Sequence, residues 1–272
     1  MSKQAELDSI YKRIADEYHT LNERQTAYAI KEVGRVRSEV AELITEFAAS
    51  DGTIKRQRLS RLLRELDGVE RDLRKYGTAA MDEIIGKSAA FTTQAVSAGF
   101  ATVVGVPMIQ AGNFERLNRE VFNYVTQRFG EDGLVLSDRV WGTSGDIRDA
   151  IGASLRSDII RGESVGKMVA NVREAYDNET WKIKRLVVTE GNTAYRTASA
   201  MSAGRSEVVT WVKLNENGAR HANHERHRCF ILAKKDRYGE GAGVYKPTDS
   251  EIYMPHPNCS SYITSVLDAR YL

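Results

Sequence analysis

LDSIYKRIADEYHTLNERQTAYAIKEVGRVRSEVAELITEF, residues 7–47, carries apolar side chains at threes and fours: Leu7, Tyr11, Ile14, Tyr18, Leu21, Tyr28, Val36, Val40, Leu43 and Phe47. At 3.6 residues per turn that spacing gathers them on one stripe, with Glu, Arg and Lys on the other faces, so the stretch predicts amphipathic helix. The stripe is narrow and close to a seven-residue repeat, which suits a helical hairpin or a coiled-coil seam. The prolines are Pro107, Pro247, Pro255 and Pro257, so the strongest helix breaker is missing from everything before position 107. The chain therefore opens as long helices, and the expected class is mainly α.

Beyond this stretch, Ser50-Asp51-Gly52 is a turn signal. A second helix carries Leu59, Leu62, Leu66, Val69, Leu73 and Tyr76, with Gly77 as its expected stop. A third, Ala-rich helix runs to about residue 103 and ends at Gly105-Val106-Pro107, and a fourth covers roughly Phe114 to Phe129, followed by a loop framed by Gly130 and Gly133. From Ser137 the pattern turns to shorter helices. Ile147, Ile151, Leu155 and Ile159 mark one, closed by Gly162. Ser164 is a good N-cap for the next, with Met168, Val172 and Tyr176. Another carries Ile183, Val187, Ala194, Ala198 and Met201 and stops near Gly204. Strand chemistry begins with the β-branched run Glu207–Leu214. Asn217-Gly218 is a hairpin-type turn, Gly239, Gly241 and Gly243 suggest a flexible loop, and Ser261–Val266 reads as a last strand. Three stretches result: an extended helical region at 1–135, a short-helix region at 136–204, and a small α+β Cys/His module at 205–272.

Of 272 residues, 42% are apolar and 28% charged, ordinary for a globular protein with a real core. A net charge of +2 is too small to argue for nucleic-acid binding through global charge, so any basic surface must be local. Two cysteines do not make a disulfide framework, which fits a reducing compartment. The start, Met1 to Glu6, has no apolar core of a signal peptide, and no segment reads as a stable membrane span. One segment is unusual: no charged residue occurs between Lys87 and Glu115, so it should be buried against a partner or the core.

The last quarter holds both cysteines, Cys229 and Cys259, and four of the five histidines, His221, His224, His227 and His256. His227-x-Cys229 and His256-x2-Cys259 could supply four zinc ligands from two knuckles, in a module too small to bury much core. Neither half is a Cys-x2-Cys pair, so a Cys229–Cys259 disulfide and two free buried thiols stay open beside a structural zinc. Lys55, Arg56, Arg58 and Arg61 form the strongest local basic run, suited either to DNA phosphates or to a solvated helix face, since Glu65, Asp67, Glu70 and Asp72 follow. Glu190 lies on the apolar stripe between Val187 and Ala194, where a carboxylate must be paired. Its readings are a catalytic acid or a switch and, against these, a structural anchor, tied by an Arg or by backbone N–H groups to the terminal module; the anchor is preferred. There is no G-x-S-x-G, P-loop or H-E-x-x-H, and so no complete catalytic motif.

The order Leu136-Ser137-Asp138-Arg139-Val140-Trp141, Gly162-Glu163-Ser164, Val188-Thr189-Glu190, Trp211, Cys229 and His256-Pro257-Asn258-Cys259 resembles the minor head proteins of tailed bacteriophages related to protein F of phage Mu. The likeness covers about residues 136–267. In the family Arg-Thr-Glu is usual where Val188-Thr189-Glu190 stands. Paired cysteines are also common where this chain has Leu232 and Ser261, so a four-cysteine zinc site is not expected. The resemblance implies a non-enzymatic virion protein in the head interior near the portal, assembled in the host cytoplasm. Such a protein assists head morphogenesis and DNA packaging or ejection. Its partners would be the portal, capsid or scaffold protein and packaged double-stranded DNA, with Trp211 and Glu190 structural. The alternative is a metal-dependent nuclease or toxin-like enzyme in the C-terminal module, behind a helical delivery arm.

Overall fold

The stripe of residues 7–47 forms two helices, α1 (Lys3–Val33) and α2 (Val36–Glu46), in a computed structural model that describes residues 2–217 and 224–271. They part at Gly34 and Arg35, where the Arg35 N–H bonds Glu32, three residues back instead of four. The chain is mainly α, as its periodicity requires, with long N-terminal helices and a small C-terminal sheet. α3 (Leu59–Val104) is a single 46-residue helix that joins the second and third expected helices. Gly77 is therefore not a stop. It sits in mid-helix because Val140 packs there, with its Cγ1 3.0 Å from where a Cβ on Gly77 would stand.

α4 (Phe114–Gln127) and α5 (Leu136–Arg161) follow, and α5 ends at Gly162 in the left-handed conformation. The Ser164 hydroxyl then caps the N–H of Lys167 at the start of α6 (Val165–Ala203), 39 residues that join two helices read separately from the sequence. β1 (Val209–Asn215), α7 (Arg228–Lys234), β2 (Val244–Tyr245) and β3 (Tyr262–Leu267) complete the order. The sheet is antiparallel in the order β2-β1-β3, with Val212 opposite both Tyr245 and Ser265. Gly218 of the expected turn and His221 lie outside the described residues. The glycine-rich stretch before β2 has a defined conformation: Gly239, Gly241 and Gly243 all take positive φ.

Two compact units cut across the three stretches expected from sequence. The first comprises residues 1–25, 82–128 and 187–272; the second comprises 26–81 and 129–186. In the first unit the sheet does not stand alone. The side chain of Gln4 bonds the Ser265 carbonyl and the Leu267 N–H, and the Tyr11 hydroxyl pairs with that of Ser265 at 2.9 Å. The core there gathers Ile14, Tyr18 and Tyr195, the two tyrosine rings stacked 4.4 Å apart.

The uncharged stretch of α3 lies in this unit, and its small polar groups are satisfied inside it. Ser88 receives the Tyr18 hydroxyl and the Gln25 amide, and Thr93 bonds Asn118 on α4. Ala89, Val96 and Phe100 are buried beside them. Core burial thus accounts for the lack of charge along α3 to about Phe100, whereas Gly105, Val106 and Pro107 beyond it are exposed. No helix among the described residues is long and apolar enough to cross a membrane. In the second unit, Val36, Val40 and Ile44 of α2, Leu62, Leu66 and Leu73 of α3, and Ile147, Ile151 and Leu155 of α5 are buried.

Candidate metal centre

His227, Cys229 and His256 present donor atoms that all lie within 4.8 Å of one another. Three local features bring them together. His227 precedes α7, so its side chain and that of Cys229, in the first turn, come from one short segment. Asn258 adopts a left-handed φ of 58°, which non-glycine residues other than Asn, Asp and His seldom do, and this bends Pro255–Cys259 into a knuckle. The knuckle is seated on α6 by the Asn258 N–H, which donates to the Thr189 hydroxyl at 3.1 Å.

His256 is oriented by its own backbone. Its Nδ1 lies 2.8 Å from the Pro257 carbonyl, an acceptor only, so Nδ1 carries the proton and Nε2 faces Cys229 Sγ at 3.1 Å. The His227 ring meets that of His256 edge-on, 4.8 Å between centroids. Cys259 lies outside the three-donor set, in the same knuckle as His256, and its thiol pairs with the Ser261 hydroxyl at 3.0 Å. Both cysteines are free and buried; both histidines are half-buried.

Arg196 lies beneath the knuckle, wholly buried. Its Nε donates to the Tyr253 carbonyl at 2.7 Å and its Nη1 to the carbonyls of Cys259 and Ser261 at 2.9 and 3.1 Å. Burial pushes this guanidinium below its ordinary value, opposed mainly by the neighbouring Cys259. Burial also opposes ionisation of Cys259, but the Cys229 thiol, Arg196 and His256 outweigh it and hold Cys259 well below the usual thiol range. Cys229 is pushed up, first by its hydrogen bond to Cys259 and then by burial. His256 is raised: burial works against its charge, and its contact with Cys259 more than offsets that.

The other expected residues lie elsewhere. Lys55 pairs with Asp51, Arg56 donates to the Ile160 carbonyl, Arg58 donates to the Phe47 carbonyl at 3.0 Å, and Arg61 lies over the Phe47 ring. All four are exposed, yet each has a partner within its own unit. Glu190 is buried, and Arg128, just past α4, donates to it at 2.7 Å. The neighbouring Thr189 makes the bond to the terminal module. Trp211 on β1 packs its ring 5.2 Å from that of Tyr238.

Sequence reasoning missed Arg196, Arg128, Thr189 and Ser261 as parts of this region. Arg196 carried no spacing signal, because on α6 it stands among Asn192, Thr193 and Ser199 and not on the apolar stripe that holds Glu190. Compared with known proteins, the chain matches no family model, no curated protein and no solved structure.

Proposed function

We propose that the chain is a minor head protein of a tailed bacteriophage, a non-enzymatic virion component held inside the head near the portal. It assists head morphogenesis and DNA packaging or ejection through protein–protein contacts. The observation that carries this reading is the Thr189–Asn258 hydrogen bond. Two of the segments behind the resemblance, Val188-Thr189-Glu190 and His256-Pro257-Asn258-Cys259, are far apart in sequence and meet in space. The Thr189 hydroxyl holds the knuckle backbone and Glu190 is paired with Arg128, structural uses that fit a scaffolded virion component better than a turnover site.

The second unit adds the means of contact. Phe129, Trp141 and Trp181 are 74%, 50% and 54% exposed. Large exposed aromatics are the anchors that protein interfaces favour. The portal protein is the proposed partner, with capsid or scaffold protein as further ones. DNA contact, if made through Lys55, Arg56, Arg58 and Arg61, would compete with the bonds those side chains already make.

Mixing the purified chain with the portal protein of the same phage and weighing the product by native mass spectrometry tests the reading. A complex of defined stoichiometry, weakened by Trp141→Ala or Trp181→Ala, is the expected result. No complex, together with DNA cleavage that stops when metal is chelated, would replace it with the metal-dependent nuclease.

A further inference from the structure

We infer that His227, Cys229, His256 and Cys259 bind one zinc(II) ion per chain as a structural Cys2His2 centre. This does not rest on the virion reading. The donor chemistry selects the ion: two sulfurs and two imidazole nitrogens suit a tetrahedral zinc and disfavour magnesium or calcium, which take oxygen.

The geometry is close to what the ion needs. With Zn–S near 2.3 Å and Zn–N near 2.0–2.1 Å, tetrahedral ligands stand roughly 3.3–3.8 Å from one another. His256 Nε2 and Cys229 Sγ are 3.1 Å apart, and all the donors of His227, Cys229 and His256 fall within 4.8 Å. Cys259 follows His256 by three residues in the same knuckle and is the proposed fourth ligand; its thiol, which pairs with the Ser261 hydroxyl at 3.0 Å, would turn to the ion to complete the set.

The surroundings are those of a built site. Metal-bound histidines usually donate their second ring N–H to a carbonyl or carboxylate, which fixes the tautomer and aims the other nitrogen. The Pro257 carbonyl does this for His256. Arg196 holds the knuckle by bonding the carbonyls of Tyr253, Cys259 and Ser261, so the backbone carrying two ligands is set from below. The thiols lie inside and the half-buried imidazoles form the rim, leaving an entry from the histidine side. The ion would join α7 to the knuckle before β3, two segments that flank a sheet with one strand of only two residues.

The test uses the full chain, purified under reducing conditions without chelator. Native mass spectrometry and elemental analysis should find one zinc per chain, retained through dialysis. Cobalt(II) exchanged into the site should give tetrahedral d–d bands and a thiolate-to-cobalt charge-transfer band. Cys229→Ser and Cys259→Ser should each roughly halve the charge-transfer intensity per bound cobalt, while His227→Ala and His256→Ala should lower zinc occupancy several-fold. The wild-type metal content decides the matter even if a variant misfolds. A wild-type chain that holds no zinc after incubation with it, with both thiols open to titration after denaturation, overturns the inference. So does a metal-free mass two hydrogens lower, which is the Cys229–Cys259 disulfide. An unchanged charge-transfer band in Cys259→Ser removes Cys259 from the ligand set and overturns the four-ligand centre.

Discussion

Arg196 Nη1 donates to the backbone carbonyl of Cys259 at 2.9 Å, from a side chain that solvent does not reach. A buried cation is tolerated only where hydrogen bonds replace its water; here three carbonyls of one loop do so for Nε and Nη1, while Nη2 has no hydrogen-bond partner among the described residues. The same arrangement fixes that loop. Arg196→Ala should therefore leave the carbonyls of Tyr253, Cys259 and Ser261 buried without this donor, at a cost of about 3–5 kcal/mol in urea unfolding. Arg196→Lys keeps the charge without the fork and should recover only part of that loss. A loss below about 1 kcal/mol for Arg196→Ala would mean the loop is held by something else.

Asn258 offers a more local test. Its φ of 58° is strained for a branched side chain and free for glycine. Asn258→Val should lower stability by about 1–3 kcal/mol, whereas Asn258→Gly should stay within about 1 kcal/mol of wild type, read by thermal unfolding. Both variants keep the backbone N–H that Thr189 accepts. Equal losses in the two would therefore point to the Asn side chain and not to its backbone conformation.

How much of this was legible in the sequence follows from what periodicity reports. The stripes from Leu7 and from Ile147 report which face is buried, and most of their residues are buried in the structure, with Leu21, Tyr28 and Leu43 only half-buried. Periodicity does not say why a glycine interrupts a stripe. Gly162 ends a helix and Gly77 does not, because Val140 lies against Gly77, and that neighbour comes from a distant part of the chain. β2 is two residues long, too short for any alternation to show. The Cys/His residues were visible as a cluster of soft ligands. Their convergence depends on the turn at Asn258 and on Arg196, and neither has a spacing signature.

The glycine-rich stretch before β2 distinguishes a loose connection from a shaped one. Gly243 has φ 78°, and a Cβ there would stand 2.8 Å from the Ala233 carbonyl oxygen and 2.9 Å from that of Leu214. Gly239 has the same φ but open space around it. Gly239→Ala should then cost only the left-handed backbone strain, about 1–2 kcal/mol. Gly243→Ala adds a collision with two backbone atoms and should cost at least about 3 kcal/mol by chemical denaturation. Equal and small effects at the two positions would show that the segment is a flexible linker after all.

The Arg128–Glu190 pair separates an anchor from a catalytic acid. Both side chains are almost completely buried, 7% and 0% exposed, with Arg128 Nη2 2.7 Å from the carboxylate. Removing one partner strands the other charge away from water. Arg128→Met alone and Glu190→Leu alone should each cost about 3–5 kcal/mol. Replacing both removes the need for compensation, so the double variant should be less destabilised than the sum of the two by at least about 2 kcal/mol. A complete double-mutant cycle by urea unfolding measures this coupling. A structural pair also predicts that the well-folded double variant binds partner as wild type does, because neither group would take part in chemistry. Additive single losses would remove the anchor role. A double variant with native stability but no function would return Glu190 to the list of candidate catalytic acids.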